Sequence, residues 1–244
     1  VERGEGGGES KVQRPESEVW TGLHACARAL SPNGRWLVVA NAGISHGTIT
    51  GESGDAPVFE RILRTNVVGM FDTFAPFVPA MKAARAGRLA GIASVAGIRG
   101  LPGAGAYSAS KAAAISYLES LRVELRGEGI RVVTIAPGYI RTPMTERNRY
   151  RMPFLTDADV FARKALEAID AGRSFTVIPW PMGIVAAVLR ALPNAVYDAA
   201  FARAHPDASS SARTTGPLCA VVWCTSPGGS SIPLAARISR MYGC

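Results

Sequence analysis

A chain of 244 residues that is 48% apolar can bury the core of one α/β domain of ordinary size. Its formal charge of +8 sits on scattered residues, mostly arginine, which describes a solvated basic surface and argues against nucleic acid as a partner. Cys26, Cys219, Cys224 and Cys244 lack CxxC or Cys/His spacing, and no apolar run or leader is long enough to span a membrane or direct export. No metal, no membrane span and a reducing, cytoplasmic setting are therefore expected.

In chain order, residues 1–34 are rich in Gly, Glu, Arg and Ser, with only a weak helical stretch around Leu23–Leu30. They are expected to be atypical or disordered. From 35 to 204 apolar runs alternate with amphipathic stretches, the pattern of βαβ units on a parallel sheet. Trp36–Ala40 reads as a buried strand ending at Asn41-Ala42-Gly43, and residues 56–86 as one long helix. Leu89–Ser94 reads as the next strand, Tyr107–Arg126 as a helix, and Ile130–Ala136 as a strand closed by Pro137-Gly138. A helix near Asp157–Ala171 leads to a strand at Ser174–Pro179. The apolar stretch Met182–Leu192 is too short to cross a bilayer; an interfacial membrane helix and a substrate-pocket lid are alternatives, and packing on the core or a subunit partner is expected. Residues 205–244 lose the pattern and are expected to form an atypical tail, possessing Ser, Pro and Gly clusters around Leu218–Trp223.

Chemistry is concentrated in Ser94, Tyr107 and Lys111. A tyrosine and a lysine at i and i+4 share a helix face. A free phenol has a pKa of about 10, and a neighbouring ammonium is expected to lower it. A serine at a strand end could then hold the substrate oxygen of a carbonyl/alcohol pair. A serine-hydrolase reading fails, because Ile92 and Ala96 stand where a nucleophile elbow around Ser94 needs glycines.

With their neighbours these residues resemble the short-chain dehydrogenase/reductase family. Asn41-Ala42-Gly43, Asn66, Ser94, Tyr107-x-x-x-Lys111 and Pro137-Gly138-Tyr139-Ile140-Arg141-Thr142 come in that family's order. The resemblance implies a Rossmann-like, doubly wound parallel sheet and hydride transfer between NAD or NADP and a secondary alcohol or ketone. It implies Tyr107 as acid/base, Lys111 as its pKa modifier and ribose ligand, Ser94 as polariser, and Asn66 as holder of a relay water. Cofactor contacts are implied for Asn41, Ala42, Gly43, Tyr107, Lys111, Pro137, Gly138, Ile140 and Thr142. A homodimer or homotetramer is implied by analogy. Residues 144–160 would cover the substrate, and Met144, Met152, Phe154 and Leu155 point to an apolar one.

One family motif is absent. Thr21-Gly22 begins the glycine-rich phosphate turn, but Cys26 and Arg28 replace its next two glycines. The sheet is therefore expected to be incomplete in its N-terminal half. Loss of pattern at both ends, and a start at Val1, lead to the expectation of a fragment, a frameshift or a faulty gene model. A cofactor-free relative serving as an interaction or assembly domain stays open as the alternative.

Overall fold

A computed structural model describes residues 36–142, Thr145 and 152–202, with the backbone of 223–224 and 232–233. The expectations for 1–34, for Met144, and for nearly all of 205–244 lie outside the described residues. Four strands form one parallel sheet in the order β1 (Leu37–Ala40), β2 (Gly87–Ile92), β3 (Ile130–Pro137), β6 (Phe175–Ile178). Short strands β4 (Ile140–Arg141) and β5 (Thr156–Asp157) pair separately.

The strands are apolar on both faces because both faces are covered. Val38, Leu89, Ile130 and Val132 face a core with Met70, Phe74, Phe77, Met81, Leu118 and Leu125. Leu37, Ala90, Val133 and Ile135 face the other way, onto Ala165, Ala168 and Ile169 of helix α5 (Ala158–Asp170). The result is a three-layer α/β/α arrangement, as the alternating pattern predicts.

Residues 56–86 do not form one helix. Helix α1 (Asp55–Leu63) runs through a π-helical turn, Arg64–Val68, into α2 (Gly69–Phe74). The chain turns at buried Pro76 before α3 (Val78–Ala84), since proline cannot supply the helix N–H. Helix α4 (Gly105–Leu125) buries Lys111, Ala114, Leu118, Leu121 and Leu125, a stripe at the helical repeat. Gly91 of β2 admits this stripe, as a Cβ there would come within 2.4 Å of Leu118 Cδ1. Helices α6 (Trp180–Ala191) and α7 (Asn194–Phe201) follow β6 and meet at a bend of 116°. No single described helix is long and apolar enough to cross a membrane.

Among the described residues β1 is an edge of the main sheet, as expected for an incomplete N-terminal half. The strand Trp223–Cys224 lies beside it but belongs to a separate antiparallel ribbon with Ile232–Pro233.

Candidate active site

Three neighbouring parallel strands end at three of the predicted segments: Asn41–Gly43 follows β1, Ser94 follows β2, and Pro137–Gly138 closes β3. The carboxyl edge of an open α/β sheet is where such folds bind ligands. Helix α4 brings Tyr107 in its first turn and Lys111 one turn later to the same edge.

Ser94 caps a 3-10 turn, Val95–Gly97, and its Oγ accepts from the Ala96 N–H at 3.1 Å. The hydroxyl is also hydrogen-bonded to the Tyr107 side chain. Gly97 lets this turn approach α4 closely. A Cβ on it would lie 2.5 Å from the Lys111 carbonyl carbon and 2.8 Å from the Ala112 nitrogen, so the turn rests directly on the α4 backbone.

Lys111 is buried, and its Nζ donates to the Ile92 carbonyl at 2.8 Å while lying 5.8 Å from the centre of the Tyr107 ring. Burial disfavours the ammonium and lowers its pKa to about 8. Tyr107 departs from expectation: burial raises the phenol above its ordinary value, and the Ser94 hydrogen bond offsets this only in part. In this state the lysine sits against the ring face, and desolvation dominates the phenol.

Asn66 stands in the π-helical turn and is fully buried. Its Oδ1 accepts from the Ile44 N–H at 2.8 Å, and its Nδ2 donates to the Ile44 carbonyl and to Ser110 Oγ, each at 2.9 Å. The Ser110 hydroxyl donates to the Tyr107 carbonyl at 2.7 Å. One amide therefore ties the loop after β1 to the turn of α4 that carries the tyrosine. Such π turns recur at functional sites because the extra residue redirects a side chain inward. Gly43 lies at the meeting point, where a Cβ would be 3.3 Å from Lys111 Nζ and 3.5 Å from Asn66 Oδ1.

The remaining predicted positions are more peripheral. Gly138 packs under Met182, and its N–H donates to the Ile178 carbonyl at 2.8 Å. Ile140 begins β4, and the Thr142 N–H donates to Thr145 Oγ1 at 3.0 Å in a local turn. Phe154 is exposed and adopts φ 58°, a left-handed value unusual for a phenylalanine. Asn41 and Ala42 are half-buried in the loop after β1.

Four supporting residues were not singled out from sequence: Gly97, Ser110, Arg99 and Thr48. Thr48 Oγ1 accepts from the Ala106 N–H at 3.3 Å and so serves the start of α4, whose own cap residue, Ala104, offers no side-chain bond. The Arg99 guanidinium lies 4.1 Å over the Tyr197 ring and bonds the end of α6. Only Gly97 and Ser110 had a sequence signal, being small residues inside the Ser94 and Tyr107 motifs.

Known proteins give the same picture. The sequence profile of the short chain dehydrogenases matches residues 23–152. An uncharacterized oxidoreductase of Myxococcus xanthus is 39% identical over 167 residues, covering 68% of this chain and 66% of the relative. The 2-(R)-hydroxypropyl-CoM dehydrogenase of Xanthobacter autotrophicus is 38% identical over 129 residues, 52% of this chain and 51% of the relative. The chain thus spans between half and two thirds of the length of these two relatives. A crystal structure of a short chain dehydrogenase from Burkholderia cenocepacia in complex with NADP superposes with a TM-score of 0.63 at 26% identity, over 75% of this chain and 73% of that one. Profile, relatives and superposition agree: this chain belongs to the short-chain dehydrogenase/reductase family.

Proposed function

We propose that the protein transfers hydride between NAD or NADP and a secondary alcohol or ketone, with Tyr107 as the acid/base. The observation that carries this reading is the Ser94 side chain bonded to Tyr107, with the Lys111 ammonium beside the phenol ring. Ser94 binds the substrate oxygen. During reduction Tyr107 gives its proton to that oxygen as charge develops there, and during oxidation it takes the proton back. Because burial raises the phenol, Tyr107 stays protonated near neutral pH. The protonated phenol is the form that reduction uses, and oxidation, which uses the phenolate, quickens as pH rises.

The residues present fit the nicotinamide-ribose end of a cofactor. Among the described residues Lys111 Nζ makes one hydrogen bond, to Ile92, from a group with three donors. Gly43 leaves open the space that a side chain would fill against Lys111 and Asn66. Asn41, Ala42, Gly43, Tyr107, Lys111, Pro137, Gly138, Ile140 and Thr142 would hold the group, and hydride transfer is the chemistry it supplies when bound. The printed name of the Xanthobacter relative, a dehydrogenase of a 2-hydroxypropyl group, supports a secondary alcohol as substrate. Asn66 holds a relay water beside Lys111, the chain pairs as a homo-oligomer, and it works in the cytoplasm on an apolar substrate.

The test is Tyr107→Phe, assayed by NADH and NADPH oxidation against a panel of ketones. Turnover should fall by about 10²–10⁴-fold with the fold intact by circular dichroism. Unchanged turnover would refute the role of Tyr107. If neither NADH nor NADPH quenches tryptophan emission, the interaction-domain alternative, prompted by Cys26 and Arg28 in the glycine turn, takes its place.

A further inference from the structure

Among the described residues three buried polar side-chain atoms have no hydrogen-bond partner: Trp36 Nε1, His46 Nδ1 and Thr176 Oγ1. Leaving such an atom without a partner is costly, so each calls for a reason. Trp36 precedes β1 at the amino end of the sheet, and Thr176 lies inside β6. His46 alone of the three stands on a loop of the carboxyl edge, the one that follows β1. The residue is half-buried, and its Nδ1 is wholly buried.

That loop is fixed against α4 at both ends. Gly43 lies at Lys111, where a Cβ would stand 3.3 Å from Nζ, and the Ile44 N–H and carbonyl are both held by the Asn66 amide. Further on, the Thr48 N–H donates to the Gly103 carbonyl at 3.1 Å, and Thr48 Oγ1 accepts from the Ala106 N–H at 3.3 Å. The Ile49 N–H donates to Asp55 Oδ2 at 2.6 Å, at the start of α1. The segment thus runs back along the first turns of α4, from Lys111 to Ala104. His46 falls at its middle, level with Tyr107. A backbone pinned at Ile44 and Thr48 cannot carry the imidazole away to another partner.

The chemistry at Ser94 and Tyr107 leaves this nitrogen unused. We infer that His46 Nδ1 hydrogen-bonds a second oxygen of the substrate, a hydroxyl set apart from the carbonyl that Tyr107 serves. A hydroxyl suits the position because it both gives and accepts, and so matches either tautomer of the imidazole. The substrate class becomes a hydroxyketone, or the corresponding diol in the oxidative direction, on an otherwise apolar body. A site that keeps a buried polar atom rejects the analogue lacking its partner, since binding that analogue leaves the atom unpaired. This specificity assignment rests on the oxidoreductase reading.

The experiment compares aliphatic methyl ketones with the same ketones carrying one further hydroxyl at increasing separation from the carbonyl, with NADH and with NADPH. Wild type should prefer one hydroxylated member over its parent by about 10-fold in kcat/KM. His46→Leu should abolish that preference. His46→Gln, whose amide reaches the place of Nε2, should behave like His46→Leu, whereas His46→Asn, whose amide reaches the place of Nδ1, should restore most of it. A merely structural histidine would affect both ketones alike and leave their ratio unmoved. A preference that survives His46→Leu, or that His46→Asn does not restore, would overturn the proposal, as would the lack of any preference in wild type. If His46→Leu loses its circular dichroism, the contrast between the Asn and Gln variants decides. Equilibrium dialysis of the same pairs with the full chain reads the ratio without turnover. A His46-dependent binding preference in a chain that reduces neither ketone would fail the oxidoreductase reading alone, and turnover without a preference would fail this inference alone.

Discussion

Lys111 places an ammonium in line with the core stripe of α4, and its pKa of about 8 records the cost. An unfolded lysine titrates near 10.4. Below pH 8 both states hold the proton, and the folded state bears the full penalty of burial, about 3 kcal/mol. Between pH 8 and about 10.4 the unfolded state binds more protons, so stability rises with pH. Tyr107 is raised and Tyr117 is pushed up to about 12, so these phenols act in the opposite sense, only above their ordinary value of 10. Urea unfolding between pH 7 and pH 9.5, a range of about one pKa unit either side of Lys111, should show stability climbing. Lys111→Met should be more stable at neutral pH by about 3 kcal/mol and flat over that range. A wild-type profile without slope would mean that the ammonium is hydrated. The site residues read from sequence all belong to short motifs with fixed spacing. Ser110, which serves Asn66 across 44 positions, and Arg99, which reaches Leu192 across 93, are fixed by tertiary geometry that spacing does not encode.

At the scale of elements, strands and α4 were legible because each keeps one period throughout. Tyr107–Arg126 was expected and Gly105–Leu125 is found; Ile130–Ala136 was expected and Ile130–Pro137 is found. The stretch 56–86 misled, since its apolar periodicity continues through interruptions of different origin. Pro76 marks one of these breaks in the sequence itself. The π turn at Arg64–Val68 has no compositional mark and is held by the bonds of Asn66 to Ile44 and Ser110. The α6–α7 corner is likewise held from outside, by Arg99 and by the Tyr197 hydroxyl donating to the Gly100 carbonyl. Arg99→Ala should cost about 2 kcal/mol through lost charged hydrogen bonds and the ring contact. It should also accelerate amide exchange across Asn194–Phe201, read by hydrogen–deuterium exchange. Arg99→Lys should recover only part, since an ammonium lacks the planar fork that serves three acceptors. Unchanged exchange in Arg99→Ala would show that α7 is held by its apolar contacts alone.

For the whole molecule, the main consequence is the position of β1. A strand of Leu, Val, Val and Ala is built for the middle of a sheet, yet among the described residues it hydrogen-bonds a neighbour on one side only. Unpaired strand edges of this composition recruit other chains. Alternate amides of Leu37–Ala40 should exchange at least about 10-fold faster than those of β2 and β3, because outward N–H groups lack a ladder partner. Uniform protection along β1 would show that a further strand covers this edge. The parallel sheet was legible from the βα alternation, and its strand order was not.

The seat of Gly97 on the peptide between Lys111 and Ala112 has a mechanical meaning. Repulsion between backbones rises steeply inward and fades outward, so the contact behaves as a one-sided stop. Motion of α4 against the Ser94 turn is then asymmetric: warming lengthens the mean gap between turn and helix, and compression cannot shorten it. Backbone steric limits, not side-chain fit, set how near the Ser94 turn lies to α4. Trimming Leu118 or Leu121 would loosen the fold without regauging that gap.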